Sequence, residues 1–221
     1  MYRITDVVRH LLIINVLMFV GTQLIWTAPI EAGALITEQV TDLSLWGRYQ
    51  LAMFFPASEF FRPFQIVTHM FMHADLTHLF FNMFALFMFG PPLETMWGPK
   101  RFLIYYFVTA IGALALHLLV TYFEYTSSGG SLAILNTPML GASGAVFGLL
   151  AGFGMMFPNS QLMLLFPPIP IRAKYFVLIY AAIELFLGIR GFNTGIAHFA
   201  HIGGALFGVF MILYWRYKSR Q

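Results

Sequence analysis

Six apolar runs, at about residues 8–26, 77–97, 101–123, 141–157, 174–189 and 196–215, take up most of this 221-residue chain. Each approaches the roughly 20 residues a helix needs to cross the hydrocarbon core of a bilayer. The breaks between them carry Pro, Gly or charge. Only 10% of the residues are charged and 59% are hydrophobic, whereas about a quarter of a soluble domain is charged. The expected fold is therefore an all-α membrane protein, a bundle of six transmembrane helices forming a single domain over residues 1–221. The first run carries His10 and Asn15 and no small-residue cleavage pattern follows it, so it reads as a span and not as a signal peptide. The chain has no cysteine, which removes a disulfide framework, a thiolate metal site and a cysteine nucleophile from consideration.

Charge placement orients the bundle. An even number of spans puts both termini on one side. With the N-terminus cytoplasmic, Arg3, Arg9, Lys100, Arg101, Arg172, Lys174, Arg216, Lys218 and Arg220 lie inside, and Arg48, Arg62 and Arg190 lie outside. Basic residues favour the cytoplasmic side, so both termini are expected there. The net charge of +3 reads as membrane topology and not as a nucleic-acid surface. Glu31, Glu38, Asp42, Glu59, Asp75 and Glu124 fall on the outer side. The first outer connection, about residues 27–76, is far longer than an ordinary helix link, which points to a functional segment. Its stretches Leu51-Ala52-Met53-Phe54-Phe55 and Phe60-Phe61-Arg62-Pro63-Phe64 mix aromatics with charge, a pattern suited to the membrane interface.

Polar side chains inside spans are expensive and mark candidate functional positions. Spans two, four and six all run from outside to inside, so the residues near their starts share the outer half. These are His78 and Asn82, Ser143, and His198 and His201. Ser143 stands in Gly141-Ala142-Ser143-Gly144, where flanking glycines permit close backbone approach and the free amides of a helix N-terminus favour negative charge. A helix cap with small packing residues is the equally open alternative. His201 lies about one turn before Gly204, and Gly204 and Gly208 form a GxxxG pair for close helix approach. A partner helix with Gly144 and Gly148 at the same spacing would bring Ser143 and His201 within hydrogen-bonding reach, as nucleophile and base. His78 and Asn82, four residues apart on one face, suit either oxyanion donation or polar helix association.

The string His69-Met70-Phe71-Met72-His73, His78-Leu79-Phe80-Phe81-Asn82, Gly141-Ala142-Ser143-Gly144 and Ala200-His201-Ile202-Gly203-Gly204 resembles the rhomboid protease pattern in order and spacing, over nearly the whole chain. The resemblance implies a Ser143–His201 catalytic dyad. It implies an oxyanion hole of His78, Asn82 and the Ser143 backbone N–H, with Gly141, Gly144, Phe147, Gly204 and Gly208 in support. It also implies cleavage of the transmembrane helices of membrane-protein substrates, with no metal or cofactor. Two departures stand out. Phe147 replaces a tyrosine that in many rhomboids stacks on the base. The family's Trp-Arg pair of the first loop is Phe64-Gln65, which leaves the loop's anchoring to Arg62 or to something else.

Three rival readings remain. A metal site would draw on His69, His73, His78, His198 and His201, yet the helical His-Glu-x-x-His of membrane metalloproteases is absent. A rhomboid-like pseudoprotease is opposed by retention of both dyad members. A transporter would rest on His117 and on Glu184, which by residue count falls near mid-membrane. For Glu184 a structural hydrogen bond and a regulatory role both stay open, and neither residue is assigned to catalysis. No third acid is expected beside the dyad, so packing against Phe147 is expected to hold His201.

Overall fold

The computed structural model describes residues 4–22, 50–163, 168–190 and 197–221. Residues 23–49, with Glu31, Glu38, Asp42 and Arg48, fall outside the described residues, as do Arg3, 164–167 and 191–196. Helices run over α1 (Asp6–Val20), α2 (Gln65–Thr68), α3 (Leu76–Trp97), α4 (Pro99–Ser127), α5 (Leu132–Leu135), α6 (Ser143–Met156), α7 (Ala173–Arg190) and α8 (His198–Lys218), with a 3₁₀ turn at His69–Phe71. Three of the described helices, α3, α4 and α8, are long and apolar enough to cross a membrane; α6 is a shorter apolar helix. The described chain departs from all-α in one place. Strands β1 (Gln161–Met163) and β2 (Pro170–Arg172) form an antiparallel ribbon, in a stretch where Pro167, Pro168 and Pro170 forbid helical hydrogen bonding.

Local chemistry sets the helix ends. Gly98 adopts φ 80°, the left-handed conformation that terminates a helix, and its N–H donates to the Glu94 carbonyl at 2.8 Å. Pro99 then opens α4, a position where its missing N–H costs nothing. Glu94 is buried and caps the start of α1. Its carboxylate accepts from Val7 N–H at 3.0 Å, from Val8 N–H at 2.9 Å and from the Thr5 hydroxyl. A buried carboxylate is stable there because it meets unsatisfied amides at the positive end of a helix.

The chain groups into two compact units. One comprises Met1–Arg9, Phe84–Val120 and Ser143–Gln221, the other His10–Met83 and Thr121–Ala142. The first is built around α6, which is buried from Gly144 to Gly154 and packs most extensively on α8, with α7 against both. A helix buried all round has to be apolar all round, and small residues let its neighbours approach. A Cβ at Gly204 would run into the Gly144 backbone, and one at Gly144 into the Ala113 side chain. Tyr105 crosses from α4 to donate its hydroxyl to the Gly148 carbonyl at 2.7 Å. Trp97, Tyr105 and Trp215 cluster near the far end of α8 from His198, with Arg101 5.9 Å over the Trp215 ring.

The second unit is held by polar contacts. Met53 and Met139 pair through reciprocal backbone bonds of 2.8 Å. Ser58 donates to Asn136 Oδ1 at 2.7 Å. Gln65, 1% exposed, accepts from Arg62 N–H at 3.0 Å and donates to the Gln50 and Phe60 carbonyls at 3.1 Å each. Among the described residues, Arg62 reaches the nearby Glu59 and Phe61 carbonyls. Gln65 therefore anchors the described part of the loop at the position where the family pattern has arginine. Of the two aromatic stretches, Ala52, Met53 and Phe54 are buried, while Phe64 is half exposed.

Candidate active site

Ser143 is the first residue of α6 and His201 lies one turn into α8. The glycine contact between Gly204 and Gly144 brings these helix starts together, and His201 Nε2 is 2.8 Å from Ser143 Oγ. Phe147, one turn below Ser143, lies flat on the imidazole at 4.0 Å and 8°. Tyr180 of α7 covers the other side of Phe147 at 5.3 Å and 11°, and Phe176 extends the stack at 5.8 Å and 12°. Phe147 thus keeps an aromatic face on His201, and α7 joins the same column.

One expectation requires correction. A carboxylate does stand beside the pair: Glu184 Oε2 is 3.0 Å from His201 Nδ1 and 2.6 Å from His198 Nδ1. Glu184, His198 and His201 are all buried. The contacts to the two imidazoles differ in quality. His198 makes an aligned hydrogen bond, whereas His201 Nδ1 meets no hydrogen-bond geometry despite the 3.0 Å separation. Glu184 Oε2 therefore lies at ion-pair distance from His201 Nδ1 but off the line of its N–H. Counting residues along the fifth run gives a depth but neither the rotation of α7 nor the reach of a glutamate side chain, so it did not show that Glu184 meets His198 and His201.

The second unit holds the remaining candidates. Gly141 has φ 128°, and its N–H donates to the His69 carbonyl at 2.9 Å. Asp75 opens α3 by accepting from His78 N–H at 2.8 Å, as an N-cap does. Ala74 N–H donates to His78 Nδ1 at 3.3 Å, which selects the tautomer with its proton on Nε2. Asn82 spends one amide hydrogen on the His78 carbonyl at 2.9 Å. His69 donates Nδ1–H to the Gln65 carbonyl at 2.7 Å. His73 packs edge-on against His78 at 5.1 Å. Burial pushes His69 below the usual imidazole range. Burial first, and then the neighbouring His78, pushes His73 to about 3. His73 is therefore neutral in ordinary buffers. Among the described residues, no three His, Asp or Glu side chains are grouped so that they could hold a metal ion.

The Rhomboid domain family model matches residues 60–218 of this chain. The chain is 34% identical over 156 residues to "Rhomboid protein 1, mitochondrial" of Saccharomyces cerevisiae, covering 70% of this chain and 42% of that protein. It is 28% identical over 202 residues to "Rhomboid protease AarA" of Providencia stuartii, covering 84% and 64%. It is 34% identical over 146 residues to "RHOMBOID-like protein 12, mitochondrial" of Arabidopsis thaliana, covering 63% and 43%. The chain therefore spans less than two thirds of the length of each. Two of the three are mitochondrial by name, so these relatives do not single out a bacterial membrane.

Proposed function

Because this chain belongs to the rhomboid family, we propose that it is an intramembrane serine endopeptidase with a Ser143–His201 dyad. The 2.8 Å contact between His201 Nε2 and Ser143 Oγ carries the reading. An imidazole nitrogen at that distance is positioned to take the hydroxyl proton as Ser143 Oγ attacks a scissile carbonyl carbon. The imidazolium then passes that proton to the leaving amine as the C–N bond breaks. Water, deprotonated by the same Nε2, hydrolyses the resulting ester and restores Ser143.

The tetrahedral oxyanion is assigned to the Ser143 backbone N–H with His78 and Asn82. The free amides at the start of α6 support the first assignment, and the Nε2–H tautomer of His78 supports the second. The substrates are transmembrane helices of other membrane proteins, presented at the outer side of a six-span bundle. The count of basic residues supports placing both termini at the opposite, positively charged side, in a bacterial inner membrane. No cofactor enters the reaction.

A reporter transmembrane helix reconstituted with the wild type is expected to be cut once. Ser143→Ala and His201→Ala are each expected to lower kcat by about 10⁴-fold or more. Undiminished cleavage by either variant overturns the dyad. A wild type that binds membrane proteins without cutting them is a pseudoprotease.

A further inference from the structure

Glu184 is the one buried acid of the first unit that no helix start accounts for. Glu94 satisfies the amides of α1; Glu184 sits within α7 and meets two imidazoles of α8. A buried carboxylate is tolerated only where partners offset its desolvation, so its position is informative. His198 takes the shorter contact, 2.6 Å, and His201 the longer, 3.0 Å, on the same Oε2. The ring of His201 is consequently bracketed, with Ser143 at Nε2, Glu184 at Nδ1 and Phe147 on its face. Tyr180, one turn before Glu184, backs Phe147 on the face turned away from His201.

We propose that Glu184 is a positioning residue for the dyad: its carboxylate selects the Nδ1–H tautomer of His201 and stabilises the imidazolium formed when Ser143 gives up its proton. His198 fixes the carboxylate oxygen from the helix that carries His201. The inference rests on the protease reading and replaces a dyad held by stacking alone with a buried Ser–His–Glu relay of contacts. Glu184 exchanges no proton in it: the Ser143 proton moves to Nε2 and on to the leaving amine, while the Nδ1 proton stays on His201. Nothing in the step needs a further reactant. In soluble triads the corresponding Asp→Asn change costs about 10⁴-fold in kcat. Here the contact is longer, off-line and shared with His198, so a smaller dependence is expected.

Charge separates this role from a structural one. Gln is isosteric with Glu, and Asp is shorter but charged. A packing role ranks Glu184→Gln above Glu184→Asp; a positioning role that requires the anion ranks Asp above Gln. Per folded molecule, Glu184→Gln is expected to lower kcat by about 10- to 100-fold with KM within about twofold, and Glu184→Asp to recover at least half of that loss on a logarithmic scale. Fluorophosphonate labelling of Ser143 should slow in the same order.

A second measurement needs no Glu184 variant. NMR of the wild type should show, beside the far-downfield proton of His198, a second imidazole Nδ1 proton shifted less far downfield that disappears in His201→Ala and persists in Ser143→Ala. Its absence, or wild-type kcat in Glu184→Gln, overturns the inference. The two failures are distinguishable. A wild type that neither cleaves nor labels defeats the protease reading, whereas an inactive Ser143→Ala beside a fully active Glu184→Gln defeats this inference alone.

Discussion

The two units hold their candidate residues by opposite means. In the first, glycine stripes bring α6 and α8 into backbone contact, and an aromatic column of Phe147, Tyr180 and Phe176 fixes the imidazole. In the second, a carboxamide satisfies the loop backbone: Gln65 serves Arg62 N–H and two carbonyls, and the Gln65 carbonyl receives His69. Close packing tolerates no added atoms, because interiors are dense and deform at a cost. A polar network tolerates added atoms better than a lost donor, because each orphaned partner carries its full desolvation penalty. Damage should therefore take different forms in the two units.

The largest effect is expected at the glycine seam. Gly204→Val puts a branched side chain into the Gly144 backbone and should destabilise by about 3 kcal/mol or more. Activity should fall below detection, because Ser143 and His201 separate as the helices do. Thermal unfolding in detergent together with the reporter assay checks this, and a stable, active Gly204→Val breaks the account of the seam.

Next in size is Gln65→Ala. It leaves an N–H and two carbonyls without their partner and should cost about 2–4 kcal/mol. Its reporter activity per folded molecule should change less than tenfold, the reverse of the seam variant. Wild-type thermal stability for Gln65→Ala contradicts the anchor.

The third effect is read through pH. His73 titrates near 3 when folded and near 6.5 when unfolded, so between those values the unfolded chain binds the extra proton. The contribution is fully present above about pH 6.5 and is lost as pH falls towards 3. Stability should therefore decline on acidification through that window. His73→Gln, which cannot titrate, should show a shallower slope; an unchanged slope removes His73 from the cause.

The smallest effect concerns the stack. Phe147→Ala loses a ring contact worth about 0.5–1.5 kcal/mol and should lower kcat by up to about tenfold. Phe147→Tyr should stay within about twofold of wild type. Equal, large losses in both would show that something other than the ring face holds His201.

How much of this was legible depended on whether the signal was periodic or single. GxxxG spacing in two runs predicted which helices meet, because the spacing itself encodes a packed face; Ser143 directly precedes Gly144, and His201 sits about one turn from Gly204. The same reading brought the starts of the fourth and sixth runs to one level, which the Ser143–His201 contact requires. Gln65 was invisible as an anchor because it differs from the family pattern, and only the folded loop displays a carboxamide donating and accepting at once. The partners of Glu184 were hidden for a related reason. Its run is apolar on all sides, so nothing in the spacing shows which face α7 turns towards His198 and His201. The ribbon at Gln161–Arg172 was likewise hidden, since a proline-rich break specifies the absence of helix and not the pairing that replaces it.

The central claim is that Ser143 is a nucleophile activated by His201. Its most direct test is intact-mass spectrometry of the detergent-purified chain after fluorophosphonate treatment, with the modified residue located by fragmentation. The account predicts a single adduct on Ser143, none on Ser143→Ala, and formation slowed by about 10²-fold or more in His201→Ala. An adduct on another residue, or equal labelling of the wild type and His201→Ala, would contradict it.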